Sequence, residues 1–206
     1  MTDIIEVSEL AARLPNSSKV AVMPDYSGVA ITATLELIRR GTHGLHLICV
    51  PISGLQADLL IGAGCVDTIE TSAVTLGEYG GAPRFSAAVT DGSVKILDAT
   101  CPAIHAALSA AERGVPFATL RGLIGSDILT SRSDWKTIDN PFAPGEPIVA
   151  LPALQPDIAL IHAHRADRHG NVWVGRRREQ VVAAHAAKAA FVTVEEIVDD
   201  DLLADE

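Results

Sequence analysis

"KVAVMPDYSGVAITATLELIRRGTHGLHLICVPISGLQADLLIGAGCVDTIET", residues 19–71, alternates short apolar runs with longer amphipathic ones. Its first run, KVAVM (19–23), is too short for a stable helix and carries β-branched residues, so it reads as a buried strand. AITATLELIRRG (30–41) has helical spacing and ends at a glycine stop. LHLICV (45–50) is a second buried strand halted by Pro51, GLQADLLIGAG (54–64) a second helix, and VDTIET (66–71) a third extended segment. This β-α-β-α-β order points to a parallel sheet covered by helices.

The same alternation continues outward. A helix is expected around 86–90, a strand at VKILD (94–98), and a helix at PAIHAALSAAERG (102–114), with proline at its start and glycine at its end. Residues 115–147, rich in Gly, Ser, Asp and Pro, read as excursion loops at one rim. IVALPAL (148–154) and the strand DIALIHA (157–163) follow, then a turn at DRHGN, a helix at EQVVAAHAAKAA (179–190) and a strand at FVTV (191–194). The tail 195–206 carries seven carboxylates and reads as solvated. No tandem repeat or low-complexity linker interrupts the chain. The expectation is one α/β domain over 1–206: an open, mostly parallel sheet with helices on both faces.

Composition narrows the function classes. A chain of 206 residues with 48% hydrophobic and 20% charged residues has the make-up of a soluble domain with a substantial core. Aromatics are only 4%, so Ala, Val, Ile and Leu must build that core, which suits a sheet under closely packed helices. The net charge of −10 argues against nucleic acid as a partner, because that affinity rests on neutralised phosphates. Against this background Arg176, Arg177 and Arg178 stand out as a basic run that could meet phosphates or form an exposed turn. Cys49, Cys65 and Cys101 are odd in number and widely spaced, giving neither a disulfide framework nor a zinc knuckle. With early acids and no long apolar run at the N-terminus, neither a signal peptide nor a membrane span is expected, and a reduced, cytoplasmic protein fits.

Several residues could carry chemistry. Gly62-Ala63-Gly64 and the loop 77–81, with Gly80, bracket a strand and could present backbone N–H groups to a ligand, although glycines there can also simply stop helices. Glu78, between Gly77 and Tyr79, could line a pocket, act on a substrate or stand in solvent. Ser27-Gly28 follows the first strand, the usual place for a ligand loop in an open α/β sheet. No Gly-x-Gly-x-x-Gly, Walker lysine or Gly-x-Ser-x-Gly pattern occurs, which disfavours dinucleotide, triphosphate and serine-hydrolase sites. Cys101 opens a helix, where a thiol can become reactive or remain a buried packing residue. His162, His164 and His169, with Asp167, raise the question of a metal, since positions two apart share one face of a strand.

With these residues in hand, the chain resembles the A (alpha) subunit of family I coenzyme A transferases, of the glutaconate and 3-oxoacid type. The resemblance rests on ELIRRGTHGLHLICVPISGLQADLLIGAG (36–64), GAPRFSAAVTDGSVKI (81–96), AALSAAERGVPFATLRGLIGSD (106–127), PALQPDIALIHAHRADRHGN (152–171) and AAKAAFVTVEEIV (186–198). It implies the open α/β sheet shared by these transferases and some sugar-phosphate isomerases. It also implies coenzyme A as a substrate, with no tightly bound cofactor or metal. In this family a glutamate of the B (beta) half attacks the acyl-CoA thioester, giving an anhydride and then a glutamyl-CoA thioester. The Ser-Glu-Asn-Gly type motif of that glutamate is absent here, so a B-type partner is expected to supply the nucleophile. The family's Gly-Gly-Phe type loop is replaced by MPDYSG (23–28), and Cys101 falls where the family often has an acidic residue. The resemblance also turns the histidine segment into a strand followed by an Ala-Asp-x-x-Gly-Asn turn (166–171), with Gly170 and Asn171 suited to positive φ.

Three functional expectations follow. The first is the A half of a heteromeric CoA-transferase, moving CoA between an acyl-CoA and a carboxylic acid. In it Ser27, Gly28, Gly62, Ala63, Gly64 and Gly80 would wall the substrate pocket near Glu78. The second keeps the scaffold for hydrolysis or carbon–carbon cleavage of a CoA thioester, with Glu78 as base. The third is a catalytically silent subunit that binds a CoA ester.

Overall fold

The computed structural model describes residues 2–204. Helix α1 (Val7–Arg13) leads into β1 (Lys19–Val22), α2 (Ile31–Arg39), β2 (Leu45–Cys49), a two-residue β3 (Ile52–Ser53), α3 (Leu55–Gly62) and β4 (Val66–Thr71). The apolar runs and amphipathic segments of residues 19–71 therefore form the elements their periodicity predicts. After the short β5 (Ala73–Val74) come α4 (Pro83–Asp91), β6 (Lys95–Asp98) and α5 (Cys101–Glu112). Proline lies in the first turn of both helices, where its missing N–H leaves no intrahelical bond unmade.

Residues 115–147 are not merely loops. They hold β7 (Phe117–Leu120), the short α6 (Ile128–Ser131) and β8 (Lys136–Asp139), and both strands pair antiparallel with β9 (Pro147–Pro152) in a separate three-stranded sheet. β10 (Ile158–Asp167), β11 (Val172–Trp173), α7 (Arg178–Ala186) and β12 (Ala189–Val198) complete the chain. The acidic tail also needs correction, because Glu195 and Glu196 belong to β12, while Asp205 and Glu206 lie outside the described residues.

The main sheet runs β10-β1-β2-β4-β6, all parallel, with β12 parallel to β10 on its other side and β11 antiparallel to the end of β10. Its strands alternate between two cores, as the period-2 geometry requires. Val20, Val22 and Leu160 face one cluster, under α1 to α4; Ala21, Ala159 and Ile161 face the other, under α5 and α7. Helices thus cover both faces. Cys49 and Cys65 are buried packing residues, and burial pushes the Cys49 thiol up to about 12.

From β1 the chain steps outward to β2, β4 and β6, and it returns to the other side of β1 with β10. The switch point therefore lies between β1 and β10, and ligands of open α/β sheets gather at the C-terminal ends of the strands beside such a point.

Candidate functional site

The loop after β1 does not leave the switch point open. Gly28 O accepts from His162 N at 2.8 Å, so the loop continues the pairing of β10 where β1 ends. Ser27 is fully buried, donates its hydroxyl to Glu179, and accepts a bond from the Gln180 side chain at its carbonyl. Gly28 takes φ +75°, and a Cβ there would come within 2.1 Å of His162 O and Gln180 Nε2. These contacts hold the loop against α7. Glu179 and Gln180 escape sequence inspection because they lie about 150 positions away in the chain.

The open part of the rim lies on the β2-β4-β6 side. Asp25 is exposed and accepts the Leu55 N–H at 3.1 Å, so the loop after β1 caps the helix after β2. Gly54 permits that approach, since a Cβ would lie 2.2 Å from the Asp25 carboxylate and 2.7 Å from Thr75 O. Ser53 Oγ ties the same two loops together through Met23 O at 3.2 Å. Beyond β4, Ser72 Oγ lies 3.1 Å from Cys101 Sγ, which is exposed at the first turn of α5. Cys101 is therefore not a buried packing residue. Nothing in the sequence singles out Ser72, because one serine after a strand carries no distinguishing signal.

Glu78 and Gly80 stand at the same rim, in the short 3₁₀ turn Gly77–Tyr79 and its cap, and both are exposed. Thr75 holds the turn by donating to Gly80 O at 3.2 Å and accepting from Gly77 N at 3.2 Å.

Gly62-Ala63-Gly64 lies elsewhere. These residues end α3 just before β4, at the N-terminal ends of the strands, because every helix-to-strand connection of a parallel sheet returns to that rim. The Ala63, Gly64 and Cys65 N–H groups already donate to Leu59, Ile61 and Leu60 carbonyls at 3.0 Å. The segment is a helix stop, and the geometry does not bring it together with Ser27, Gly28, Glu78 and Gly80.

The histidines form no metal centre. Glu195 of β12 lies 3.1 Å from His164 Nδ1 and 3.6 Å from His162 Nε2, and the two histidines hold its carboxyl below the usual carboxylate range. Among the described residues no group of three or more His, Cys, Asp or Glu is placed to hold a metal ion. Asp167 is instead the hub of the β10-β11 turn, accepting from His169 N, Asn171 N, Asn171 Nδ2 and Leu202 N at 2.8–3.1 Å. Burial works to raise its carboxyl, but these donors outweigh burial and bring it down to about 2. Gly170 takes φ +92° as its sequence suggested, whereas Asn171 does not enter the left-handed region. Arg176, Arg177 and Arg178 turn into α7 beside Glu179 and Gln180, which places the basic run near the loop after β1.

An open parallel sheet with a rim of exposed thiol, hydroxyl and carboxylate groups defines an α/β scaffold of the doubly wound type. A family model described as coenzyme A transferase matches residues 5–204, and the chain belongs to the coenzyme A transferase family, as an A-type (alpha) subunit. It is 37% identical over 212 residues to the A-type subunit of 3-oxoadipate CoA-transferase from Pseudomonas knackmussii, covering 97% of this chain and 72% of that one. The crystal structure of glutaconate coenzyme A-transferase from Acidaminococcus fermentans superposes with a TM-score of 0.90 at 26% identity, over 100% of this chain and 70% of that one. The crystal structure of a cysteine-to-serine variant of the decarboxylase AibA/AibB gives a TM-score of 0.84 at 26% identity, over 96% of this chain and 76% of that one. No helix among the described residues is long and apolar enough to cross a membrane.

Proposed function

We propose that the chain is the A half of a heteromeric CoA-transferase that moves CoA from an acyl-CoA thioester to a carboxylic acid. A B-type partner supplies the nucleophilic glutamate. The observation that carries this reading is the state of the rim carboxylates. Asp25 is engaged in capping α3 and Glu78 stands in solvent, so neither has the desolvated setting that would prepare it for attack.

In the reaction the partner's carboxylate adds to the thioester carbonyl and expels CoA thiolate, leaving an acyl-glutamyl anhydride. The thiolate then attacks the glutamyl carbonyl, releasing the donor acid and forming the glutamyl-CoA thioester. The acceptor acid repeats both steps in reverse, which restores the glutamate. This chain's share is positional: Ser27 and Gly28 fix the loop after β1, the Gly77–Tyr79 turn with Gly80 walls the acyl side, and Arg176 to Arg178 offer charge to the CoA phosphates. Coenzyme A takes part as a substrate only.

The replacement of the Gly-Gly-Phe type loop and the likeness to a decarboxylase favour a second reading, in which Glu78 acts as a base on a CoA thioester. Co-expression with a B-type subunit and an acyl-CoA exchange assay on wild type and Glu78→Gln separate the two. Transfer predicts exchange that changes less than about tenfold in the variant; base catalysis predicts no exchange and loss of turnover with Glu78→Gln. Failure of the two chains to co-purify, together with no reaction of CoA esters, would overturn both.

A further inference from the structure

A cavity of about 430 Å³ opens on the α5 face at the N-terminal ends of the strands, the rim opposite the candidate site. The parallel register builds its polar wall: Lys19 of β1 aligns with His46 of β2, His46 with Thr68 of β4, and Thr68 with Lys95 of β6. Residues in register across a parallel sheet share a face, so Lys19, His46 and Lys95 line one side together. Glu70, two residues beyond Thr68, reaches the deep end.

Three permanent cations line this space, Lys19, Lys95 and Arg132, against two carboxylates, Glu70 and Asp134. Both carboxylates are committed to Arg132, whose Nη2 lies 2.7 Å from Glu70 and 2.8 Å from Asp134 and whose Nη1 donates to Asp98 O. Neither lysine ammonium forms an ion pair among the described residues, and His46 Nε2 is buried without a hydrogen bond, 3.7 Å from Glu70. A protein of net charge −10 thus keeps an excess of positive charge in one concavity. Apart from Ser131 and Ser133 the remaining wall is apolar, with Leu97, Ile104 and Leu154, and the Trp135 ring lies under Arg132 at 4.0 Å.

We propose that this cavity binds a monoanionic organic acid with a hydrocarbon body, its carboxylate at Lys19 and Lys95 and its chain against Ile104 and Trp135. The volume lies within the roughly 300–1,000 Å³ of small-molecule sites, and apolar walls with a few convergent polar groups are what such sites use. A phosphate ligand fits less well, because the planar Arg132 fork that would grip it is already filled.

Trp135 supplies the test. In a Trp173→Phe background of the full chain it is the sole tryptophan, and octanoate should change its emission in a saturable way. Octanamide, the neutral counterpart, should bind at least about tenfold more weakly, and Lys19→Ala/Lys95→Ala should weaken octanoate by a similar factor. Both lysines are exposed, so these variants retain the fold. Equal binding of acid and amide, equal binding by wild type and variant, or competition by inorganic phosphate at equal strength would each overturn the proposal, as would no emission change at all.

Discussion

Gly28→Ala and Gly64→Ala place the same methyl group at nearly the same backbone angle, φ +75° and +72°, in two different surroundings. At Gly64 nothing lies within 4 Å of the new carbon, so the only penalty is the left-handed conformation, roughly 1–2 kcal/mol. At Gly28 the carbon would sit 2.1 Å from a backbone carbonyl oxygen of β10, which cannot swing aside as a side chain would. Overpacking of this kind adds roughly 1–3 kcal/mol to the conformational term. Gly28→Ala should therefore be less stable than Gly64→Ala by about 1–3 kcal/mol, which corresponds to roughly 2–12 °C in unfolding midpoint for a domain of this size. Urea and thermal unfolding of both variants measure that difference. In the complex, Gly28→Ala should also reduce acyl-CoA exchange while Gly64→Ala leaves it unchanged. Equal stability of the two, or loss of exchange in Gly64→Ala, would refute the assignment of the first glycine to the site-forming loop and the second to a helix stop.

Two further outcomes follow from buried carboxylates. Asp58 is fully buried and accepts the Arg84 and Phe85 N–H groups at 2.8 and 3.0 Å, so it caps α4 from α3; Asp58→Ala should cost about 2–3 kcal/mol in urea unfolding. Asp167 has a native value of about 2, below its ordinary 3.8, so its charged form is favoured by folding. That stabilisation is complete above about pH 4 and disappears as pH falls toward about 2. Glu70 shifts in the same direction: burial works to raise its carboxyl, but His46 and Arg132 outweigh it. Unfolding curves between about pH 6 and 2 should show wild type converging on Asp167→Asn at the acid end; parallel curves would contradict the turn's charge-dependent bonding.

The strands and helices of residues 19–71 were legible because each apolar run is buried and each keeps one period. β7 and β8 were not, because their side chains are largely exposed and leave no apolar alternation to read. Gly62-Ala63-Gly64 misled for a different reason. A glycine that ends a helix and a glycine that admits a ligand look alike in sequence, and only the sheet topology assigns them to opposite rims. The loop after β1 was placed correctly at the rim, but its anchoring by Glu179 and Gln180 is a long-range contact without a local pattern. The histidines illustrate the converse, since their spacing suggested a metal while the chain uses Asp167 to fasten a turn and Glu195 to pair two imidazoles.

If a glutamate from another chain completes the chemistry at this rim, it carries the covalent adduct. To find it, the co-expressed complex is incubated with an acyl-CoA, the enzyme-bound thioester is reduced with borohydride, and the modified residue is located by peptide mass spectrometry. The expected result is a modified glutamate in the partner and an unmodified Glu78 in this chain. A modified Glu78, or a complex that exchanges acyl groups without any glutamyl adduct, would contradict the account.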